Sequence, residues 1–345
     1  MLTVKEILEE IRHLSEEDRL IVKTKLISRL PQTDEDPDVA LENARFGSGY
    51  HCPYCNASHI RRHGHMPDGR QRFRCVACGR TFSARSQTLL AWTRKDLPVW
   101  EAYLECMLRG LSLRKSAEEC GISLPTAFAW RHKILDALRK VLDRESLGGV
   151  VEADETYLNV SYKGNHGKSR AFQMPRKSRH RGHELHQSGI SSELVCVSCA
   201  ISRDGQSRAC ALTLGRAGEK ELAYFFKGHL EDGTVICADH EPSYKAFARL
   251  ERYRLIQLQT KEQREGFTIQ RINAYHSRLK AFLAGFRGVS TKYLDNYLAW
   301  NTARDQIRLR GAEEELPLLR KALTASVSTS NRTLRDRPPV PVPIG

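Results

Sequence analysis

The sequence predicts an α/β protein: a mixed five-stranded sheet with its helices, preceded by a small cysteine-bound module and a pair of helices. Three observations predict it. From residue 149 onward, short apolar runs alternate with helical patterns, as strands and helices do in α/β domains. Two of those runs lead into an aspartate: Val150 and Val151 run on to Asp154, and Thr234–Ala238 to Asp239. Upstream, the pairs Cys52/Cys55 and Cys75/Cys78 stand with 19 residues between them.

Composition bounds the partners. The 345 residues are enough for several domains. Lys+Arg number 55 against 41 Asp+Glu, a net charge of +14. That balance favours a polyanion, nucleic acid first, over solubility alone. No apolar run reaches the roughly 18 residues of a membrane span. The start of the chain is an acidic and basic helical pattern and not a signal peptide. Ten cysteines in a chain of this length do not read as a secreted disulfide scaffold. The expected setting is the reducing cytoplasm, with no membrane partner.

The elements follow in order. Residues 1–35 are a helical segment, with a Thr3/Glu6 capping box and Val4, Ile7, Leu8 and Ile11 on one face. It reads as a packing accessory. Residues 31–47, with Pro31, Pro37 and several acids, read as a linker. Residues 48–88 read as a zinc ribbon, because two C-x-x-C knuckles can place four thiolates around one tetrahedral Zn2+. Two disulfides are the alternative. Four Cys close such a site, so it does no chemistry and instead presents Arg70, Arg72 and Arg74 to phosphates. Residues 95–141 read as helix, turn, helix: Gly121 stops the first, Ser123 caps the second, and Pro125 fits its first turn. As a DNA-binding helix-turn-helix, it would turn Thr126, Arg131, His132 and Lys133 to a groove. A plain helical hairpin is the alternative.

Residues 149–310 hold three strands, a helix, a strand, a helix, a strand and then helices. A basic insertion spans 158–190, with seven Lys/Arg, Lys177 and Arg179 among them, against one acid. Residues 331–345 read as a disordered Pro-rich tail. The element order is that of the ribonuclease-H-like fold, in which the first and fourth strands are neighbours. Asp154 and Asp239 would then meet, and carboxylate oxygens suit a hard divalent cation. On the long helix, Asn273 and Lys280 are two turns apart on one face, with His276 and Ser277 between them. No acid lies between Thr268 and Arg287.

These residues resemble a known family, the DDE-type transposases of bacterial insertion sequences with an N-terminal zinc ribbon and helix-turn-helix. The resemblance is carried by the four cysteines, by Glu152-Ala-Asp-Glu-Thr-Tyr157, by Ala238-Asp239, and by the runs Ile272–Lys280 and Arg287–Trp300. It covers about residues 48–302. It implies a triad of Asp154, Asp239 and Asn273 followed by Lys280, with Asn where most members have Glu. It implies Mg2+ or Mn2+ at the triad and structural Zn2+ at the cysteines. The implied partners are DNA, as the element's terminal inverted repeats and as target, and further copies of the chain, as a homodimer or higher oligomer. The implied location is the bacterial cytoplasm, on the nucleoid. The implied activity is strand hydrolysis, then joining of the freed 3′ end to target DNA. Two alternatives stay open: a catalytically inactive DNA-binding regulator derived from a transposase, which the Asn273 departure sustains, and a structure-specific nuclease of the same fold. His276 competes with Asn273 as third ligand. Glu152, on the face of Asp154, is an outer-ligand candidate and Glu241 a reserve, whereas Glu155 should face the other way.

Overall fold

The computed structural model describes residues 10, 13–15, 18–19, 37–164, 171–178, 187–310, 321–327 and 329–340. The helices expected before residue 31 lie almost wholly outside these. The chain divides into two compact units, Met1–Ala127 and Phe128–Gly345.

The first unit begins with a helix where a linker was expected. Helix α1 (Pro37–Phe46) starts on a proline, whose fixed φ suits a first turn. The same proline reads as a breaker when its partners are unknown. Those partners are in the ribbon: Phe46 packs on Phe73 and Phe82 with ring centroids 6.2 and 6.1 Å away. Arg85 clamps Asp38 through two bonds of 2.8 and 2.7 Å. The ribbon is an antiparallel sheet of β1 (Ile60–His65), β2 (Gln71–Cys75) and β3 (Thr81–Phe82) in that order. Helices α2 (Leu97–Leu108) and α3 (Leu113–Glu119) follow, then the first turn of α4 (Leu124–Leu142). The expected turn is present. Gly121 takes φ +58°, which glycine adopts without strain, and Ser123 Oγ accepts the Thr126 N–H at 3.3 Å.

The second unit carries the sheet. Its strands are β4 (Val150–Asn159), β5 (Leu194–Ser202), β6 (Ser207–Leu214), β7 (Val235–Ala238) and β8 (Arg254–Gln257), in the order β6-β5-β4-β7-β8. The first three pair antiparallel; β7 and β8 join parallel. This is the ribonuclease-H-like topology expected from the element order. Helices cover both faces, so β5 is buried at every residue. On one face α7 (Gln270–Ala284) and α8 (Leu294–Arg310) set Ile272, Tyr275, Leu279 and Leu298 on Val195, Val197 and Cys199. On the other, α5 (Glu219–Phe226) and α6 (Pro242–Glu251) set Phe225, Tyr244 and Phe247 on Val151, Ala153 and Ile236.

The expected disordered tail is partly ordered. Residues Asn331–Asp336 form α9, capped by Ser330 Oγ on the Thr333 N–H at 3.0 Å. Leu334 is buried, and Arg337 binds Asp136 at 2.9 and 2.8 Å. Lys292 Nζ and Tyr293 Oη also donate to the carbonyls of Arg335 and Leu334 at 2.6 and 3.1 Å, and such backbone docking leaves little signal in a Pro-rich sequence. Residues 341–345 lie outside the described ones. Among the described residues no helix is long and apolar enough to cross a membrane.

Candidate active site and nucleic-acid interface

Parallel pairing builds the acidic pair. Val150, Val151 and Glu152 of β4 stand opposite Val235, Ile236 and Cys237 of β7. Continuing that register by two residues sets Asp154 beside Asp239, on strands about 4.8 Å apart. Burial first, then the negative charge of Asp239, raise the Asp154 carboxyl to about 6. Backbone donors still fix both side chains. Asp154 Oδ1 accepts the Glu155 N–H at 2.8 Å, and Asp239 Oδ1 accepts the Glu241 N–H at 3.0 Å. Gln257 of β8 ties down the next loop, donating to the carbonyls of Asp239 at 2.9 Å and Glu241 at 3.3 Å.

Helix α7 carries the two candidates for the third position, Asn273 and His276. His276 Nδ1 lies 3.7 Å from Asp154 Oδ2. Its ring is buried, and Nε2 has no hydrogen-bond partner among the described residues. Burial, with the Lys280 charge second, lowers this imidazole to about 4. Asn273 turns its amide N–H back to the Ile269 carbonyl at 2.9 Å, so its Oδ1 is not used in that bond. The charge of Lys280 also acts on Asp154.

Glu152 takes a place the sequence did not suggest. It shares the face of Asp154, but its carboxylate accepts from Thr268 Oγ1 at 3.1 Å and from the N–H groups of Arg271 and Ile272 at 2.8 and 3.1 Å. It caps α7 and satisfies the orphan donors of the first turn. At the other end, Lys163 Nζ donates to the carbonyls of Phe286, Arg287 and Gly288 at 3.2, 3.1 and 2.7 Å. The helix is therefore held at both ends by β4 and the residues just after it. Glu155 faces the other way, as alternation requires, and accepts from Tyr244 Oη at 2.7 Å. Glu241 is engaged by Arg216. Nothing local in the sequence marks the Glu152 cap; its donors lie more than a hundred residues downstream. Glu152→Ala should lower unfolding free energy by about 2–4 kcal/mol, because two helix donors and a hydroxyl lose a buried charged acceptor. Glu152→Gln should fall between. Denaturant titration measures both, and a loss under 0.5 kcal/mol (about the scatter of a surface change) would remove the capping role.

The cysteines converge. The sulfurs of Cys52, Cys55, Cys75 and Cys78 lie within 4.8 Å of one another. Two pairs, Cys52/Cys78 and Cys55/Cys75, are 3.6 Å apart, and all four are free thiols. Zinc bound to four thiolates at about 2.3 Å needs sulfurs roughly 3.8 Å apart, so the cluster fits.

Residues 146–301 match the family model of the ISXO2-like transposase domain, and residues 32–81 that of the transposase zinc-ribbon domain. The insertion element iso-IS1N protein InsA of Shigella dysenteriae is 32% identical over 76 residues, which are 22% of this chain and 80% of that protein. The chain is a DDE-type insertion-sequence transposase. Among solved structures, the Mos1 strand transfer complex aligns with 69% of this chain and 80% of its own at 12% identity and a TM-score of 0.28. The Mos1 mariner paired end complex with Mn aligns with 63% and 78% at 10% identity and a TM-score of 0.21. Both likenesses are too distant to carry an argument.

The cations of the transposase expected to meet DNA are placed unevenly. In the ribbon, Arg74 is exposed and directly opposite Arg61 across the β1–β2 pair. Like charges so placed repel unless an anion joins them. Arg72 is bound back to the His63 carbonyl at 2.9 Å, and Arg70 Nε to Asp68 at 2.9 Å. On α4 the expectation fails for two residues. Arg131 is 2% exposed, its guanidinium 5.4 Å above the Trp300 ring. His132 is 1% exposed and stacks on Tyr293 at 3.9 Å. Both serve packing, because the helix continues past its first turn into the second unit's core, with Ile134, Leu135 and Leu138 fully buried. Lys133 is half-buried, and burial lowers its pKa. Thr126 stays at the N-terminal turn, on Ser123 Oγ at 2.8 Å. Lys177 is exposed; Arg179 lies outside the described residues.

Proposed function

We propose that this transposase binds the ends of its insertion sequence, cuts a strand there with a divalent cation, and joins the freed 3′ end to target DNA. The observation that carries the reading is that Asp154, midway along β4, falls in register with Asp239, just past the end of the parallel β7, with α7 packed over them. The donors fit a hard cation: two carboxylates that repel each other, and an amide oxygen on Asn273. Asp154, Asp239 and Asn273 would hold Mg2+ or Mn2+. Bound there, the cation supplies Lewis-acid stabilisation of the charge that builds on the phosphoryl oxygens. Lys280, exposed two turns along α7, gives the same anion a positive neighbour. Arg61, Arg74 and Lys177, with Thr126 at the first turn of α4, supply DNA contacts. Joining two ends of one element calls for more than one active site, hence a homodimer or higher oligomer on the DNA.

A nicking assay tests this on a duplex carrying the inverted repeats that flank the gene. Cleavage that needs Mg2+ or Mn2+ and yields joined products supports the proposal. Binding without cleavage would leave the inactive regulator; cleavage without joining would leave a nuclease.

A second reading of the third donor is favoured by His276, buried beside Asp154 with Nε2 unpartnered among the described residues. The two readings separate cleanly. If Asn273 is the donor, Asn273→Ala should cost on the order of a hundredfold or more in cleavage rate, and His276→Ala much less. The reverse pattern, with Mn2+ affinity measured by calorimetry falling only in His276→Ala, moves the role to His276.

A further inference from the structure

We propose that the hollow between α6 and β8 is a phosphate-binding trough for the DNA strand that runs past Asp239. The proposal rests on the strand-cleaving reading above and extends it to a surface outside the triad. The cavity has a volume of about 530 Å3 and opens to solvent; its cations are Lys245, Arg249 and Arg264, and among the described residues no carboxylate lines it. A second hollow of about 510 Å3 is lined by Asp239, Lys261 and His240. His240 lines both hollows, so the basic surface lies next to the one that Asp239 lines.

Lys245 and Arg249 are the decisive pair. They are exposed and stand four residues apart on α6, so they share one face. Neither has an ion-pair partner among the described residues. Like charges at that spacing destabilise a helix, and an anion between them removes the cost. Of the nearby acids, Glu241 binds Arg216 outside the hollow, whereas Glu262 pairs with Arg264 at 2.7 Å, which leaves Lys245 and Arg249 as the cations that no acid offsets among the described residues. Gln257 both lines the hollow and holds the carbonyls of Asp239 and Glu241. A strand seated in the trough is thereby kept in register with the aspartate loop. An open, cationic groove suits a chain of phosphates better than a small ligand, which calls for an enclosed and largely apolar site.

Covalent footprinting of the zinc-loaded full chain tests this. Lysines are acylated and arginines treated with a dicarbonyl, with and without a duplex of random sequence, and read by mass spectrometry. Lys245 and Arg249 should lose reactivity several-fold with DNA and keep it with inorganic phosphate or polyglutamate at matched ionic strength, while the exposed Lys227, which does not line the trough, stays reactive. In parallel, the Lys245→Ala/Arg249→Ala double variant should flatten the slope of log affinity against log salt by about two, one for each phosphate no longer neutralised. Protection of Arg61 and Arg74 with Lys245 and Arg249 unchanged overturns the trough and leaves DNA binding intact. No protection anywhere overturns both readings. Equal protection by inorganic phosphate or polyglutamate makes it a general anion surface and overturns the strand assignment.

Discussion

Replacing Asp154 or Asp239 by Ala is expected to abolish strand cleavage while leaving DNA affinity within about twofold. Each carboxylate is one of two that face the same point, so losing either removes half of the formal negative charge a divalent cation needs. Metal stabilisation of a phosphoryl transition state amounts to several kcal/mol, or on the order of a thousandfold or more in rate. The DNA-contacting cations lie on other elements and are untouched. Folding should be preserved or improved, because burial and mutual repulsion already penalise the Asp154 charge. Single-turnover nicking measures the rate and gel shift the affinity. Cleavage by Asp154→Ala within tenfold of the native rate would remove Asp154 from the site.

Stripping zinc is expected to unfold residues 48–88 and abolish selective binding to the element's ends, with the sheet of the second unit still folded and any DNA contact of its own retained. A structural zinc supplies about 10–16 kcal/mol at neutral pH. The ribbon alone has little to replace it: a three-stranded sheet and a ring cluster of Tyr50, Phe73 and Phe82 backed by Phe46. Cys75→Ser should behave like chelation, since its sulfur is buried against that of Cys55. Elemental analysis should return one zinc per chain, and limited proteolysis should open only the ribbon on chelation. Two disulfides found by mass spectrometry, with no zinc, would overturn the site.

Much of this architecture was legible because its signals are local or strictly periodic. Four cysteines at knuckle spacing announce their own convergence. Apolar runs that lead into Asp154 and Asp239 give strand order, and strand order gives adjacency, although β4 runs on five residues past Asp154, to Asn159. What stayed hidden depends on partners far along the chain. Arg131 and His132 sit on a helix that reads equally well as exposed, until Trp300 and Tyr293 cover it. Helix α1 looks like a linker until Phe73 and Arg85 receive it. The cap on α7 could not be read at all: Glu152 passes for a spare ligand, and no rule of spacing links it to Arg271 and Ile272.

That cap also sets a timetable. The bonds from Glu152 span 116, 119 and 120 residues of sequence. On a ribosome adding about 5–20 residues each second, β4 emerges roughly 6–24 s before the helix it must anchor. The ribbon is complete long before then and can already meet DNA. Cutting capacity thus arrives last, after binding capacity, within the synthesis of one molecule. A chain cut short before residue 268 would keep the ribbon and lack the helix that Glu152 caps, and with it Asn273 and Lys280.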